Sequence, residues 1–223
     1  TGYRNEPVCG SFNHLEGDKM RKLISIMISV TLTLLLVGGT AWAGKPSVGF
    51  VYVGPVGDGG WTHAHDLGRK ALEAAGHETS YVESVPEGDS DRVIRKMARK
   101  HDIVFTTSFG YMDPTLKVAK QYPDKTFLHC SGFKQGKNMG NYFGRMYQAK
   151  YLAAMIGAGM SKKGRIGIVG SQPIPEIIRH INAITLGAQQ VNPNIEVEVL
   201  WINSWFDPAK ESDAAQALID NGA

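Results

Sequence analysis

Ser47-Val48-Gly49-Phe50-Val51-Tyr52-Val53, followed at once by Gly54-Pro55-Val56-Gly57-Asp58-Gly59-Gly60 and then Trp61-Thr62, decides the fold. The first stretch is a nearly continuous apolar run, which suits a strand buried on both faces. A Gly/Pro loop ends it, and a helix is expected around Thr62–Ala75. The same order recurs down the chain. A strand near Thr79–Val85 leads through the turn Pro86–Ser90, where Asp89 or Ser90 can cap a helix over Asp91–Lys100. The strand Ile103–Thr107 leads through the loop Ser108–Asp113 to a helix with Asp113 as N-cap and Pro114 at its first position. Pro123 marks the end of that helix. The strand Thr126–Cys130 and a short run near Asn141–Phe143 precede a helix over Tyr147–Met160.

After the polar break Ser161-Lys162-Lys163-Gly164 the pattern restarts. Arg165–Val169 reads as a strand, Ser171–Pro175 as a loop and Glu176–Val191 as a helix. Ile195–Ile202 reads as a strand, and Asp207-Pro208 opens a helix that ends near Asn221-Gly222. Strand–helix alternation of this kind specifies an α/β fold, a parallel sheet with helices on both faces. The expected division is an N-terminal lobe over 44–160 and the start of a second lobe over 161–223. The second lobe has two clear strands, too few for an independent sheet, so it is expected to be truncated at its C-terminal side.

The N-terminal quarter reads differently. Met20-Arg21-Lys22, the apolar run Leu23–Val37 and Ala41-Trp42-Ala43 fall in the order of a cleavable secretory signal, so residues 20–43 are expected to direct export. The run has 15 residues, short of the roughly 20 that a spanning helix needs. Thr1–Lys19 precedes the expected initiator Met20 and reads as upstream DNA translated in error, the alternative being a genuine short extension. Glu16-Gly17 can be encoded by GAG-GGN, which holds a ribosome-binding sequence just before Met20.

Removing residues 1–43 leaves 20 basic and 18 acidic residues, a net charge of +2. That balance gives no reason to expect nucleic acid or a membrane surface as partner. Cys9 goes with the leader, and Cys130 remains alone, so no internal disulfide is expected in spite of export. No cysteine follows the apolar run to take a lipid anchor.

In open parallel sheets ligands bind beyond the carboxyl ends of the strands. The loops there carry Trp61, Phe109, Tyr111, Phe133, Trp205 and Phe206. Any one of these could simply pack; as a set on one sheet edge they are expected to form a cleft for a flat ligand. The polar residues beside them are Asp58, Thr62, Ser108, Asp113, Glu176, Asn203 and Asp207, with several carboxylates and no lysine or arginine. Such loops suit a neutral ligand with N–H or O–H donors. Asp113 and Asp207 each precede proline and read as helix caps.

Sharper motifs fail. The glycines from Gly54 to Gly60 lack dinucleotide spacing, and Trp61 stands where a phosphate loop needs lysine. Thr106-Thr107-Ser108-Phe109-Gly110 lacks the first glycine of a nucleophile elbow. His63 and His65, two apart on a helix, point about 200° apart and cannot share an ion. Cys130 at a strand end reads as a core thiol. No metal or cofactor is implied.

These loops resemble the basic membrane protein family of ABC-transporter substrate-binding proteins, the group similar to purine-nucleoside receptors. The matching segments are Gly57–Gly68, Thr107–Pro114, Asn141–Phe143 with Gln148–Ala153, Ile168–Ser171 with Pro175, and Trp205–Pro208 with Ala214–Ala223. Asp58 and Gly68 fit the family pattern, Trp61 stands for its stacking aromatic, Thr62 replaces its asparagine, and Gln148 sits where it favours an acid. The resemblance implies a type I periplasmic-binding-protein fold, with two doubly wound lobes closing on a ligand.

It implies an exported, periplasmic, monomeric, non-enzymatic receptor for a purine base or nucleoside, serving an ABC permease in the inner membrane. The pairs Trp61–Thr62 and Trp205–Phe206 look most like an adenine-binding branch. The ligand set that this implies is Gly57, Asp58, Trp61, Thr62, Ser108, Phe109, Tyr111, Pro175, Glu176 and Trp205. A sensor domain presenting ligand to a signalling receptor is the alternative. A nucleoside hydrolase would need an aspartate cluster after the first strand, where only Asp58 lies. N-terminal sequencing of the precursor from its host is expected to begin at Met20; a peptide from Thr1–Lys19 would show that segment to be native.

Overall fold

The structure, a computed structural model, describes residues 44–223. The leader and the upstream segment assigned from sequence lie outside the described residues. Five parallel strands form the first sheet: β1 (Val48–Val51), β2 (Thr79–Val82), β3 (Ile103–Thr106), β4 (Thr126–Cys130) and β5 (Met139–Tyr142). Their order is β2-β1-β3-β4-β5, and Val51 pairs with both Val82 and Thr106. The order reverses between β1 and β3, so the crevice of this sheet opens at their carboxyl ends.

Alternation along β1 fixes the two layers. Val51, with Val104 and Phe127, faces α2 (Ser90–Ala98) and α3 (Met112–Ala119), where Ile94, Met97 and Val118 complete a core. Val48, Phe50 and Tyr52 point the other way, toward Leu72 of α1 (Trp61–Ala74). Phe50 and Phe105 stack in that layer with centroids 4.7 Å apart. The buried, two-faced strand expected from the opening run is therefore present.

The second sheet pairs β6 (Arg165–Gly170) with β7 (Glu196–Trp201) in parallel. It carries α4 (Met146–Met160), α5 (Pro175–Val191) and α6 (Pro208–Asp220). Sequence reading ended the first lobe at residue 160, but α4 packs along α5 and β6, which places it with the second sheet. The α4–α5 contact is built from small residues: Ala154 and Ala158 meet Ala188, with Ile166 and Ile184 beside them. A Cβ at Gly187 would fall 2.2 Å from the Tyr151 carbonyl oxygen, so only glycine allows the two backbones to meet.

Two sequence boundaries moved for local reasons. β2 stops at Val82 because Ser84 takes a left-handed φ of 53° and turns the chain, though Val85 is buried beyond it. Asp113 is not an N-cap, because a one-turn 3-10 helix at Phe109–Tyr111 feeds α3 from Met112. Pro114 still lies in the first turn, where its missing N–H costs nothing. The Asp113 carboxylate instead accepts from Lys134 Nζ at 2.6 Å. Asp207 does cap α6, accepting from the Lys210 N–H at 3.2 Å.

A buried polar chain runs beneath the crevice. Thr115 Oγ1 donates to the Tyr111 carbonyl at 2.6 Å, so it must accept from Thr106 Oγ1 at 2.9 Å. Thr106 in turn can only accept from His129 Nδ1, also at 2.9 Å. His129 is thereby the Nδ1–H tautomer, with its buried Nε2 unpartnered. Burial lowers its pKa to about 4, the Thr106 contact opposing.

The folded pKa lies below the unfolded value near 6.5, so this contribution is full above pH 6.5 and lost as pH falls toward 4. Between pH 7 and 5, His129→Asn is expected to lose about 2 kcal/mol less stability than the unsubstituted chain. Equal pH slopes in urea unfolding would contradict this. Gly187→Ala is expected to destabilise by about 1–3 kcal/mol, because a backbone oxygen cannot rotate aside; an unchanged urea midpoint would contradict it.

Candidate functional site

The carboxyl ends of β1, β3 and β4 and those of β6 and β7 face a common cavity of about 160 Å³. The β1–α1 loop supplies Val53, Gly54 and Asp58, and the start of α1 supplies Trp61 and Thr62. The loops after β3 and β4 supply Thr107, Ser108, Phe109 and Ser131. From the second sheet come Ser171 after β6, Glu176 and Ile177 on the first turn of α5, and Trp205 and Phe206 after β7. Among the described residues, no lysine or arginine lines the cavity.

Asp58 builds the near wall. Its Oδ1 accepts from the backbone N–H groups of Gly60 and His63, each at 2.9 Å, and its Oδ2 accepts from Thr62 N–H at 2.8 Å. Those are orphan donors at the start of α1, so the carboxylate starts the helix from outside it. Burial pushes the Asp58 carboxyl up, but the Gly60, His63 and Thr62 bonds outweigh it and hold its pKa below the ordinary value. The Thr62 side chain also lies against this carboxylate and helps to hold its pKa down.

Trp61 then swings across the switch point. Its Nε1 donates to the Thr107 carbonyl at 2.6 Å, joining the loops after β1 and β3. His65 backs the indole at 4.7 Å between centroids, and its Nδ1 lies 2.8 Å from the Trp61 carbonyl. Thr62 is fully buried, and its Oγ1 lacks a hydrogen-bond partner.

The far wall is held with similar economy. Trp205 Nε1 donates to Glu87 Oε1 at 3.1 Å, and Ser108 Oγ donates to the same oxygen at 2.7 Å. Ser131 Oγ donates to Glu176 Oε2. Burial raises the Glu176 carboxyl pKa, with the Ser131 bond and Arg179 opposing. Ser131 and Asn203 take left-handed φ values of 79° and 53°. Such strain in non-glycine residues is held in place by surrounding structure and concentrates at functional sites.

Of the residues expected from sequence, Asp58, Trp61, Thr62, Ser108, Phe109, Glu176 and Trp205 come together at the cavity. Three do not line it. Tyr111 is fully buried, its hydroxyl donating to the Val85 carbonyl at 2.5 Å, so it serves the core. Gly57 lies on the exposed tip of its loop, and Pro175 opens α5 facing solvent. Phe133 is 67% exposed beside Phe109 rather than in the cavity. Cys130 is buried, and burial first of all pushes its thiol up to about 12, as a core thiol should be. Glu87 was missed, because Pro86–Ser90 read only as a turn with a cap.

Comparison with known proteins places this geometry. Residues 45–223 match the family described as ABC transporter substrate-binding protein, PnrA-like. A purine-binding protein of Brucella abortus (strain 2308) is 52% identical over 202 residues, covering 88% of this chain and 58% of the relative. A protein of Haloferax volcanii, provisionally named as an ABC transporter glucose-binding protein, is 43% identical over 83% of this chain and 48% of its own length. The chain thus spans about half the length of these relatives. A crystal structure of an ABC transporter solute-binding protein from Aeropyrum pernix K1 superposes with a TM-score of 0.72 at 20% identity. It covers 80% of this chain and 53% of that one, and it carries the fold alone. The fold is the type I periplasmic-binding-protein fold, and the chain belongs to the PnrA-like family of ABC transporter substrate-binding proteins.

Proposed function

We propose that the chain is the ligand-binding part of an exported receptor that delivers a purine base to an ABC permease, by binding and without catalysis. One observation carries the reading. Trp61, Phe109 and Trp205 border one small cavity, and the only polar atoms of both indoles are already bonded to the protein. What the tryptophans leave for a ligand is apolar ring. A flat, uncharged heterocycle suits such walls better than an anion does, and no cation lines the cavity among the described residues.

Size points the same way. A dry cavity of about 150 Å³ accepts benzene, so about 160 Å³ favours a base over a nucleoside. Ser108 and Glu176 are acceptors for ligand N–H groups, as adenine provides. The similarity to a purine-binding relative supports the class of ligand. The expected leader supports a periplasmic setting, and among the described residues no helix is long and apolar enough to cross a membrane. The provisional glucose assignment of the Haloferax relative favours a second reading, a sugar receptor.

Titration of the full chain with adenine, adenosine and glucose separates the two. Adenine is expected to quench tryptophan emission and raise the melting temperature, with glucose silent. Trp61→Ala is expected to weaken adenine by about 1–3 kcal/mol, the usual loss when an aromatic platform under a base is removed. A response to glucose alone would overturn the purine reading.

A further inference from the structure

Glu87 sits outside the cavity lining, in the one-turn 3-10 helix Glu87–Asp89 between β2 and α2. It nevertheless touches both sides of the site. A single oxygen, Oε1, accepts from Ser108 after β3 and from Trp205 after β7. Its place is prepared. A Cβ at Gly110 would fall 2.0 Å from the Glu87 Cδ and within 2.3 Å of both carboxylate oxygens, so glycine makes the notch in which the carboxylate lies. From the other side, Ser90 Oγ donates to the Glu87 carbonyl at 2.6 Å and fixes the turn.

We propose that Glu87 is a positioning residue that sets the hydrogen-bond polarity of the cavity: by taking the only protons of the Ser108 hydroxyl and the Trp205 indole, it leaves both facing the ligand without a donor. This rests on the purine reading above. A serine hydroxyl has one proton, and once that is donated it can only accept. With the Trp61 N–H also taken by Thr107 and the Ser131 hydroxyl given to Glu176, Ser108 and Glu176 present acceptors to the ligand. A 6-amino purine offers donors where a 6-oxo purine offers a carbonyl acceptor. The wall therefore selects the 6-amino ring, and Glu87 is the origin of that choice without touching the ligand.

The test measures the adenine-to-hypoxanthine affinity ratio of the full chain and of Glu87→Ala, Glu87→Gln and Gly110→Ala, with acrylamide quenching of tryptophan in each ligand-free protein. A Trp205→Phe background isolates the Trp205 signal. The unsubstituted chain is expected to favour adenine. Glu87→Ala should weaken adenine about tenfold, the cost of setting one donor against a ligand donor where an acceptor stood, and should narrow the ratio because Ser108 regains a proton to donate. Gly110→Ala, which displaces the carboxylate without removing it, should do the same. Glu87→Gln keeps an acceptor oxygen and should retain most of the ratio. In the ligand-free proteins, Trp205 should become more quenchable in Glu87→Ala and Gly110→Ala. Equal loss of both purines at constant ratio, or unchanged quenching of Trp205, overturns the proposal. Absence of any purine binding by the unsubstituted chain overturns the purine reading instead, while the quenching result still decides whether Glu87 holds Trp205.

Discussion

The site depends on one carboxylate that gathers backbone donors. Asp58 gathers the N–H groups of Gly60, Thr62 and His63, and in doing so ends the β1 loop and begins α1 in a single step. A helix start otherwise leaves its first donors unsatisfied. Because Asp58 satisfies them, the loop can be rich in glycine and still be fixed, and Trp61 projects at the first helical position rather than at random. The Trp61–Thr107 bond then spans the point where strand order reverses, the place that topology reserves for a ligand. Removal of the clasp would leave the ring, the helix start and the crevice wall without a common anchor.

Polar contacts join the loops of the two sheets at the site. Glu87 reaches Trp205, and Ser131 reaches Glu176. Contacts of this kind are weak in water and strengthen as water is excluded. The rigid parts lie elsewhere, in the two-faced core around β1 and in the close approach of α4 to α5 at Gly187.

Much of this was legible in the sequence. The strand–helix alternation is clearest at β1 and β3, whose buried residues leave short apolar runs, and a Gly/Pro loop marks where β1 ends. Seven of the ten residues singled out reach the cavity, because the carboxyl ends of parallel strands converge whatever the side chains are. Tyr111 failed for a reason no pattern shows. A 3-10 turn, not a helix cap, follows Ser108, and it rotates that ring into the core. Glu87 was hidden because its partners lie 21 and 118 residues away, and only the fold brings them together. The α4 boundary was hidden as well: the polar break at Ser161 is a turn inside the second unit, and the change of sheet comes before it, ahead of Met146.

The central claim is that Trp61 and Trp205 are opposite walls of one slot for a planar ring. A crystal structure of the full chain grown with adenine tests it most directly. The account predicts ring density in van der Waals contact with both indoles, about 3.5–4 Å away, with their N–H groups still on Thr107 and Glu87. Adenine density outside the cavity, or either indole turned so that its N–H bonds the ligand, would contradict it.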